Sequence, residues 1–307
     1  MSCIIPAGID AVAIFGSAAR RDYDALSDLD LLVVAEQPAV VNRACDSLDK
    51  LGWSCTPYTW GRLRKCISAG SLFAIHLRKE ALIIRDKSHH LKDVLRACKH
   101  RSEGYRAEYR EACSLIQGLE AIPVDGPGLA WVLDMLTVGF RSAAIARLAD
   151  AGVYVFSFEE ILAHMCRFGF LTYRDARRLR NLRWFKAAYR VGLRTKIPTF
   201  DEVRRFIDVT SACFNIGLHV RPFADGEAFD RILGNREGSS DWYQRTRRAE
   251  LAVQGLLPIG KDSEEFFAAK RAILKILRKP TQYGWFMKAQ WPLIHEKIVE
   301  LQSYSVM

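Results

Sequence analysis

The sequence lacks the features that mark zinc-bound, disulfide-bonded or membrane-spanning proteins. Its eight cysteines are scattered, no two of them form a Cys-x-x-Cys pair, and no Cys/His spacing resembles a zinc site. This predicts reduced thiols that serve as small hydrophobic side chains in a cytoplasmic protein. No run of about 18 uninterrupted apolar residues is present, so the sequence predicts no membrane span.

Acidic residues are fewer than basic residues in this chain. Its 307 residues carry 45 Lys and Arg against 35 Asp and Glu, which gives a formal net charge of +10 at pH 7. Such a surplus favours polyanionic partners, such as nucleoside triphosphates or nucleic acids, over cationic substrates. Half of the residues are hydrophobic, which is ordinary for a globular protein, and the length fits about two domains.

Strand and helix signals alternate over the first part of the chain. Short apolar runs bounded by Gly, Ser or Pro predict strands, and the periodic segments between them predict helices. We therefore expect a compact α/β unit with a mixed sheet. The last two strands are predicted to pair around a hairpin tip at Lys79-Glu80. The predicted strands are residues 10–15, 28–34, 53–60, 73–78 and 81–84.

Strand signals fade in the later part of the chain, where helical periodicity takes over. Residues 128–150 carry apolar side chains at helical spacing, and capping-box patterns precede the amphipathic runs that follow. The sequence thus predicts an α+β fold, with an α/β domain at residues 1–90 and a mostly α-helical domain at residues 91–307. The Pro/Gly-rich stretch 123–128 is an alternative boundary.

One stretch meets three demands of phosphate and metal chemistry. Residues 15–33 read FGSAARRDYDALSDLDLLV. Gly16-Ser17 follows a predicted strand, so backbone N–H groups and the Ser17 hydroxyl can approach a phosphate. Asp28 and Asp30 lie two apart on a predicted strand, so both carboxylates project from one face. Such a pair suits Mg²⁺ (or Mn²⁺), and with two metals it can clamp both oxygens of an in-line displacement.

This ordered pattern resembles the DNA polymerase β-like nucleotidyltransferase superfamily, and it is most similar to the small, minimal members. The resemblance is confined to the α/β domain and implies a nucleotidyltransferase catalytic domain there. It implies that Asp28 and Asp30 are the catalytic residues and the metal ligands. The nucleotide-binding residues that it implies are Gly16, Ser17, Arg20 and Ser27.

The sequence departs from the family pattern at one point. The superfamily usually supplies a third carboxylate from a later strand, but residues 53–60 contain no acid. Glu80 is the nearest later acid, and we expect it at a hairpin tip. Three alternatives stay open, namely a one-metal enzyme, a substrate-assisted enzyme and a catalytically inactive fold. His76 is expected to be a partly buried structural histidine.

Residues 174–196 are the most basic part of the chain. On a helix, Arg183, Lys186, Arg190 and Arg194 recur at steps of three and four residues and form a basic stripe. Arg183 and Arg190 are therefore predicted to bind the leaving phosphates or an acceptor strand. The alternative is a solvated basic face over an apolar core. A second basic cluster, residues 242–248, adjoins an irregular loop.

These observations predict a metal-dependent nucleotidyltransferase. It would transfer a nucleoside monophosphate from an NTP or dNTP to a hydroxyl of a nucleic acid, a protein or a nucleotide. Size and motif resemble anti-phage nucleotidyltransferases, which implies template-independent polymerisation in defence. The alternatives are an inactive nucleotide-binding module, such as the antitoxin-like partner of a toxin, and a nucleic-acid-binding protein with a vestigial pocket. Each of these three hypotheses is compatible with binding to a partner protein or with a homo-oligomer.

Overall fold

The chain folds into two compact units, each built from separate segments. A computed structural model describes residues 5–87, 89–191, 198–223, 242–256, 264–277, 293 and 296–301. Unit 1 comprises residues 1–110 and 141–180, and unit 2 comprises residues 111–140 and 181–307. The domain boundary that we expected near residue 90 stays a prediction.

A four-stranded mixed sheet organises unit 1. Its strands are β1 (Ala11–Ile14), β2 (Asp30–Ala35), β3 (Ser54–Thr59) and β4 (Leu82–Asp86). Their order is β3-β2-β1-β4, where β1 is antiparallel to β2 and β4, and β2 is parallel to β3. With the helices that surround it, this mixed sheet confirms the predicted α+β fold.

Helices make up most of the remaining described chain. In unit 1 and at its junctions with unit 2 they are α1 (Ser17–Arg20), α2 (Pro38–Asp49), α3 (Trp60–Ser68), α4 (Leu72–Glu80), α5 (His90–Arg96), α6 (Arg106–Gln117), α7 (Gly126–Asp150), α8 (Phe158–Arg167) and α9 (Tyr173–Leu179). In unit 2 they are α10 (Leu182–Val191), α11 (Phe200–Phe214), α12 (Trp242–Gly255) and α13 (Glu264–Leu277). A short parallel pair, β5 (Ala121–Ile122) and β6 (Arg221–Pro222), also belongs to unit 2.

Helix α2 connects the parallel strands β2 and β3, as such a pair requires. Pro38 occupies its first turn, and Gly52, with a positive φ of 89°, lies just beyond its end. Val41 and Leu48 project from its apolar face into a core that includes Val33 of β2. This packing anchors the strand that begins at the candidate site.

Residues 72–80 form helix α4 where we expected a strand. The Ser71 hydroxyl accepts a hydrogen bond from the Ala74 amide at 3.2 Å and so caps the helix, while Gly70 (φ +55°) ends the helix before it. The prediction was wrong because a short apolar run is equally compatible with a buried helix and a buried strand. Glu80 therefore ends a helix and is not at a hairpin tip.

Helix α7 is 25 residues long and carries residues of both units. By length and composition alone, Gly128–Asp150 could cross a membrane, but 72% of its most apolar window is buried within the protein. Burial of this kind is typical of the core helix of a folded domain. The absence of a membrane span stays a prediction.

Arg247, one residue of the second basic cluster at 242–248, is buried. Its guanidinium is buried in unit 2, donates to Asp134, and donates to Glu250 at 2.6 Å. The Tyr189 hydroxyl donates to the same Glu250 carboxylate at 2.8 Å. Buried charges need such partners, because an unpaired charge is costly in the interior. Arg247 therefore pairs buried carboxylates and is not available to a surface ligand.

The Ser71 cap can be tested by substitution. We expect Ser71→Ala to lower the free energy of unfolding by about 1 kcal/mol, because an Ala74 amide loses its partner. Ser157→Ala is the matched control, since Ser157 is the N-cap of α8 but its hydroxyl makes no capping bond. Urea unfolding followed by circular dichroism measures both. Equal losses in the two variants would contradict the assigned cap.

Candidate active site

The turn after β1 requires a glycine for two reasons. Gly16 has φ 71° and ψ −149°, a backbone conformation that is essentially reserved for glycine. A Cβ atom built on Gly16 would also lie only 2.8 Å from Oδ2 of Asp30. The Phe15 amide donates to the Asp30 carbonyl at 3.2 Å, which holds the two segments together. The turn that leads into Ser17 is thus packed directly against the Asp30 carboxylate.

The acid pair lies at the start of β2, but only one member belongs to the strand. Asp30 is the first residue of β2, and Asp28 precedes it in irregular backbone. The prediction that both lie on a strand was wrong for Asp28, because the pairing with β1 begins at Leu31 and the pairing with β3 at Asp30. Both carboxylates are partly buried and interact electrostatically with Arg141.

Glu80 joins α4 to α1 through a short chain of charged contacts. Its Oε2 accepts from Arg20 Nη1 at 2.5 Å and contacts His76 Nε2 at 2.8 Å. Arg20 also donates from Nε to Asp22 at 3.1 Å. The Glu80 and His76 side chains are both nearly buried. The expectation of a buried structural histidine agrees with this position.

The protonation of this chain follows from burial and pairing. Burial lowers the pKa of His76 below its ordinary value, although Glu80 opposes the change. Burial alone would raise the pKa of Glu80, but the bonds from His76 and Arg20 outweigh it and lower the pKa. At neutral pH Glu80 is therefore ionised and His76 is neutral. Since a carboxylate only accepts hydrogen bonds, His76 carries its proton on Nε2.

Arg141 of helix α7 adds a cation that sequence analysis did not find. Its Nη2 donates to the carbonyl oxygen of Phe156 at 3.0 Å, and the Phe156 ring stacks on His76 with centroids 4.3 Å apart. Burial lowers the pKa of Arg141, and the attraction of Asp30 opposes this. One signal was available, because Asp134 and Arg141 are the charged residues of the otherwise apolar stretch 129–146.

The sheet offers no third acid beside the pair. Ser54 of β3 is the register partner of Asp30, and β3 contains no carboxylate. Among the residues that the structure describes, no three His, Cys, Asp or Glu side chains could hold a metal ion together. The donor set instead fits Mg²⁺ held by one or two carboxylates, with phosphate oxygens and water completing the coordination.

The other predicted nucleotide-binding residues fall in different places. Ser17 begins α1 directly after the turn, and the Ser27 hydroxyl bonds to Asp24 at 2.9 Å, which orders the loop before Asp28. Arg183 lies half-buried on α10 in unit 2. Arg190 lies on the same helix, but its side chain is outside the described residues, as is all of Arg194. The roles of Arg183 and Arg190 stay predictions.

Comparison with known families identifies the class of this domain. Residues 6–87 match the family model of the nucleotidyltransferase domain. This region is therefore similar to the nucleotidyltransferase domain family, which confirms the resemblance found in the sequence. The matched region includes the turn, the acid pair and Glu80, but not Arg141. Comparisons with curated proteins and with solved structures give no match.

The contact between the turn and the acid can be tested with a pair of glycine variants. We expect Gly16→Ala and Gly52→Ala both to destabilise the protein, because both glycines have positive φ. Only Gly16→Ala should weaken Mn²⁺ binding, since its Cβ displaces Asp30 whereas nothing lies within 4 Å of the Gly52 Cβ position. Electron paramagnetic resonance titration with Mn²⁺ and a nucleoside triphosphate measures this. Equal Mn²⁺ affinities in the two variants would disprove it.

The pKa of His76 predicts a pH dependence of stability. Because folding lowers this pKa, the unfolded chain binds more protons at mildly acidic pH, and stability falls as the pH drops. We expect the free energy of unfolding to decrease between about pH 7.5 and about pH 5.5. His76→Asn, which cannot titrate, should show a smaller decrease in urea unfolding. An unchanged decrease in this variant would mean that other groups cause it.

Proposed function

We propose that this protein is a metal-dependent nucleotidyltransferase. It transfers a nucleoside monophosphate from an NTP or dNTP to a hydroxyl group and releases pyrophosphate. The observation that carries the proposal is the Asp30 carboxylate packed against the Gly16 turn, inside a region that matches the nucleotidyltransferase domain. A phosphate-binding turn and a metal-binding carboxylate must be neighbours if one metal ion is to contact both protein and phosphate.

The side chains of unit 1 divide this work. In our proposal Asp28 and Asp30 hold Mg²⁺ or Mn²⁺, and the turn at Gly16-Ser17 contacts the phosphates through its backbone and the serine hydroxyl. The metal, when bound, would neutralise phosphate charge as the bond to the leaving group breaks. Arg20 joins the turn to Glu80, and this pairing supports a positioning role beside its predicted contact with nucleotide.

The acceptor is proposed to be a polyanion. The net charge of +10 and the predicted basic stripe with Arg183 and Arg190 favour a nucleic acid over a cationic small molecule. A protein hydroxyl and a second nucleotide are the other acceptor classes. We also propose a cytoplasmic location, which the scattered cysteines predict, and a role in anti-phage defence, which the sequence resemblance implies.

A nucleotide-binding module without catalysis is the second candidate. The register supports it, because Ser54 stands on β3 beside Asp30 where a further acid would complete a larger metal site. Glu80 is also already engaged by Arg20 and His76. If the protein were catalytic with these residues, the general base for the attacking hydroxyl would have to come from the substrate.

The two candidates predict different effects of substituting Asp28 and Asp30 on the incorporation of labelled nucleotides. We expect wild-type protein with Mg²⁺ or Mn²⁺ to incorporate label from at least one NTP or dNTP into an added nucleic acid, protein or nucleotide. Asp28→Asn/Asp30→Asn should reduce incorporation by about a hundredfold or more, since the metal loses its ligands. Asp93→Asn, an exposed acid on α5, is the matched control. Radiolabelled products are separated by electrophoresis and thin-layer chromatography.

The pattern of outcomes separates the candidates. Metal-dependent nucleotide binding by the wild type without any product, across all nucleotides and acceptors, would favour the non-catalytic module. Product formation that survives the loss of both acids would overturn the proposed site.

A further inference from the structure

We propose that Arg141 binds the phosphate chain of the nucleotide, as a residue of the same site contributed from outside the matched domain. This inference rests on the proposed nucleotide site in unit 1. It adds a phosphate ligand that neither the motif nor the matched residues 6–87 contain. The chemical class of its ligand is a polyphosphate, free or as part of a nucleotide.

Contacts within unit 1 tie Arg141 to the candidate site. Its guanidinium donates to the Phe156 carbonyl, the Phe156 ring stacks on His76, and His76 bonds to Glu80. Glu80 in turn bonds to Arg20, which ends the short helix that follows the phosphate-binding turn. Each link is between packed or hydrogen-bonded groups, which fixes the guanidinium relative to His76 and Glu80. The guanidinium also interacts electrostatically with Asp30 and Asp28.

Arg20 and Arg141 differ in how their positive charges are paired. Arg20 forms salt bridges to both Asp22 and Glu80. In the part of the chain that the structure describes, no salt bridge joins Arg141 to a carboxylate, and its hydrogen bond goes to an uncharged carbonyl. Of these two arginines, Arg141 therefore has the charge and the N–H groups left for an anion.

A partly buried guanidinium is stabilised more by an anionic partner than a solvated guanidinium is, because less water is present to screen the interaction. Burial disfavours its charge, while the nearby Asp30 attracts it. Once a metal ion occupies the carboxylates, this attraction is reduced, and the phosphate oxygens become the available anion. Arginine binds phosphate through paired N–H groups in a fixed geometry, which orients the phosphate chain as well as neutralising it.

The other explanation is that Arg141 merely ties α7 to the loop that contains Phe156. Arg147 provides the matched control, because it lies on the same helix in the same unit and places its guanidinium 3.8 Å from the centre of the Phe170 ring. A structural arginine should affect stability without changing affinity for a phosphate. A phosphate ligand should change affinity.

The test measures binding of inorganic tripolyphosphate, and of each of the four NTPs, by calorimetry in the presence of Mg²⁺. Arg141→Gln should weaken tripolyphosphate and NTP binding by about tenfold or more, since a charge-assisted contact is lost. Arg147→Gln should bind as the wild type does. Thermal unfolding of every variant checks that the fold is retained.

If Arg141→Gln does not fold, the variant Arg141→Lys still tests the inference. Lysine retains the charge but cannot bind in the paired geometry, so a loss of about threefold is expected. Wild-type binding that is unchanged in Arg141→Lys and in any folded Arg141→Gln overturns the inference and leaves the proposed function intact. Equal weakening in Arg147→Gln also overturns it, and a wild type that binds no polyphosphate or nucleotide overturns both.

Discussion

The close approach of the Asp30 carboxylate to Gly16 sets the geometry on which the rest of the site depends. It requires a residue without a side chain at the end of β1, and it requires β2 to start at the carboxylate. Gly16 meets the first condition, and the antiparallel pairing of β1 with β2 together with the Phe15–Asp30 backbone bond meets the second. A phosphate on the turn and a cation on the carboxylate would then be neighbours without any rearrangement of the backbone.

Around this contact the structure concentrates opposite charges in a partly buried space. Asp28, Asp30 and Glu80 interact electrostatically with Arg141, and Glu80 also forms a salt bridge with Arg20. Such pairing is what makes burial of ionised groups tolerable. It also means that Glu80, although it is a third acid of the site, is occupied in holding Arg20. Among the described residues, no third acid joins Asp28 and Asp30 in a group that could hold a metal ion.

The side chains that surround the acid pair are not confined to the segment that matches the family model. Unit 1 combines residues 1–110 with residues 141–180, so the second half of α7 and the loop with Phe156 pack with the sheet. Arg141 and Phe156 reach His76 and Glu80 from this later segment. A fragment that ends near residue 90 would therefore lack Phe156, whose ring stacks on His76.

The sequence by itself determined the turn, the acid pair and the α+β class, because these rest on local requirements. A Gly-Ser pair after an apolar run, acids next to an apolar strand and a switch from strand to helical periodicity are all local features of the sequence. Tertiary structure decided the rest. The run at 72–80 became a helix because Ser71 caps it, and the same apolar pattern suits either element. Only folding brings Arg141 to Asp30 and Glu80 to Arg20, because such contacts depend on packing between segments far apart in the chain.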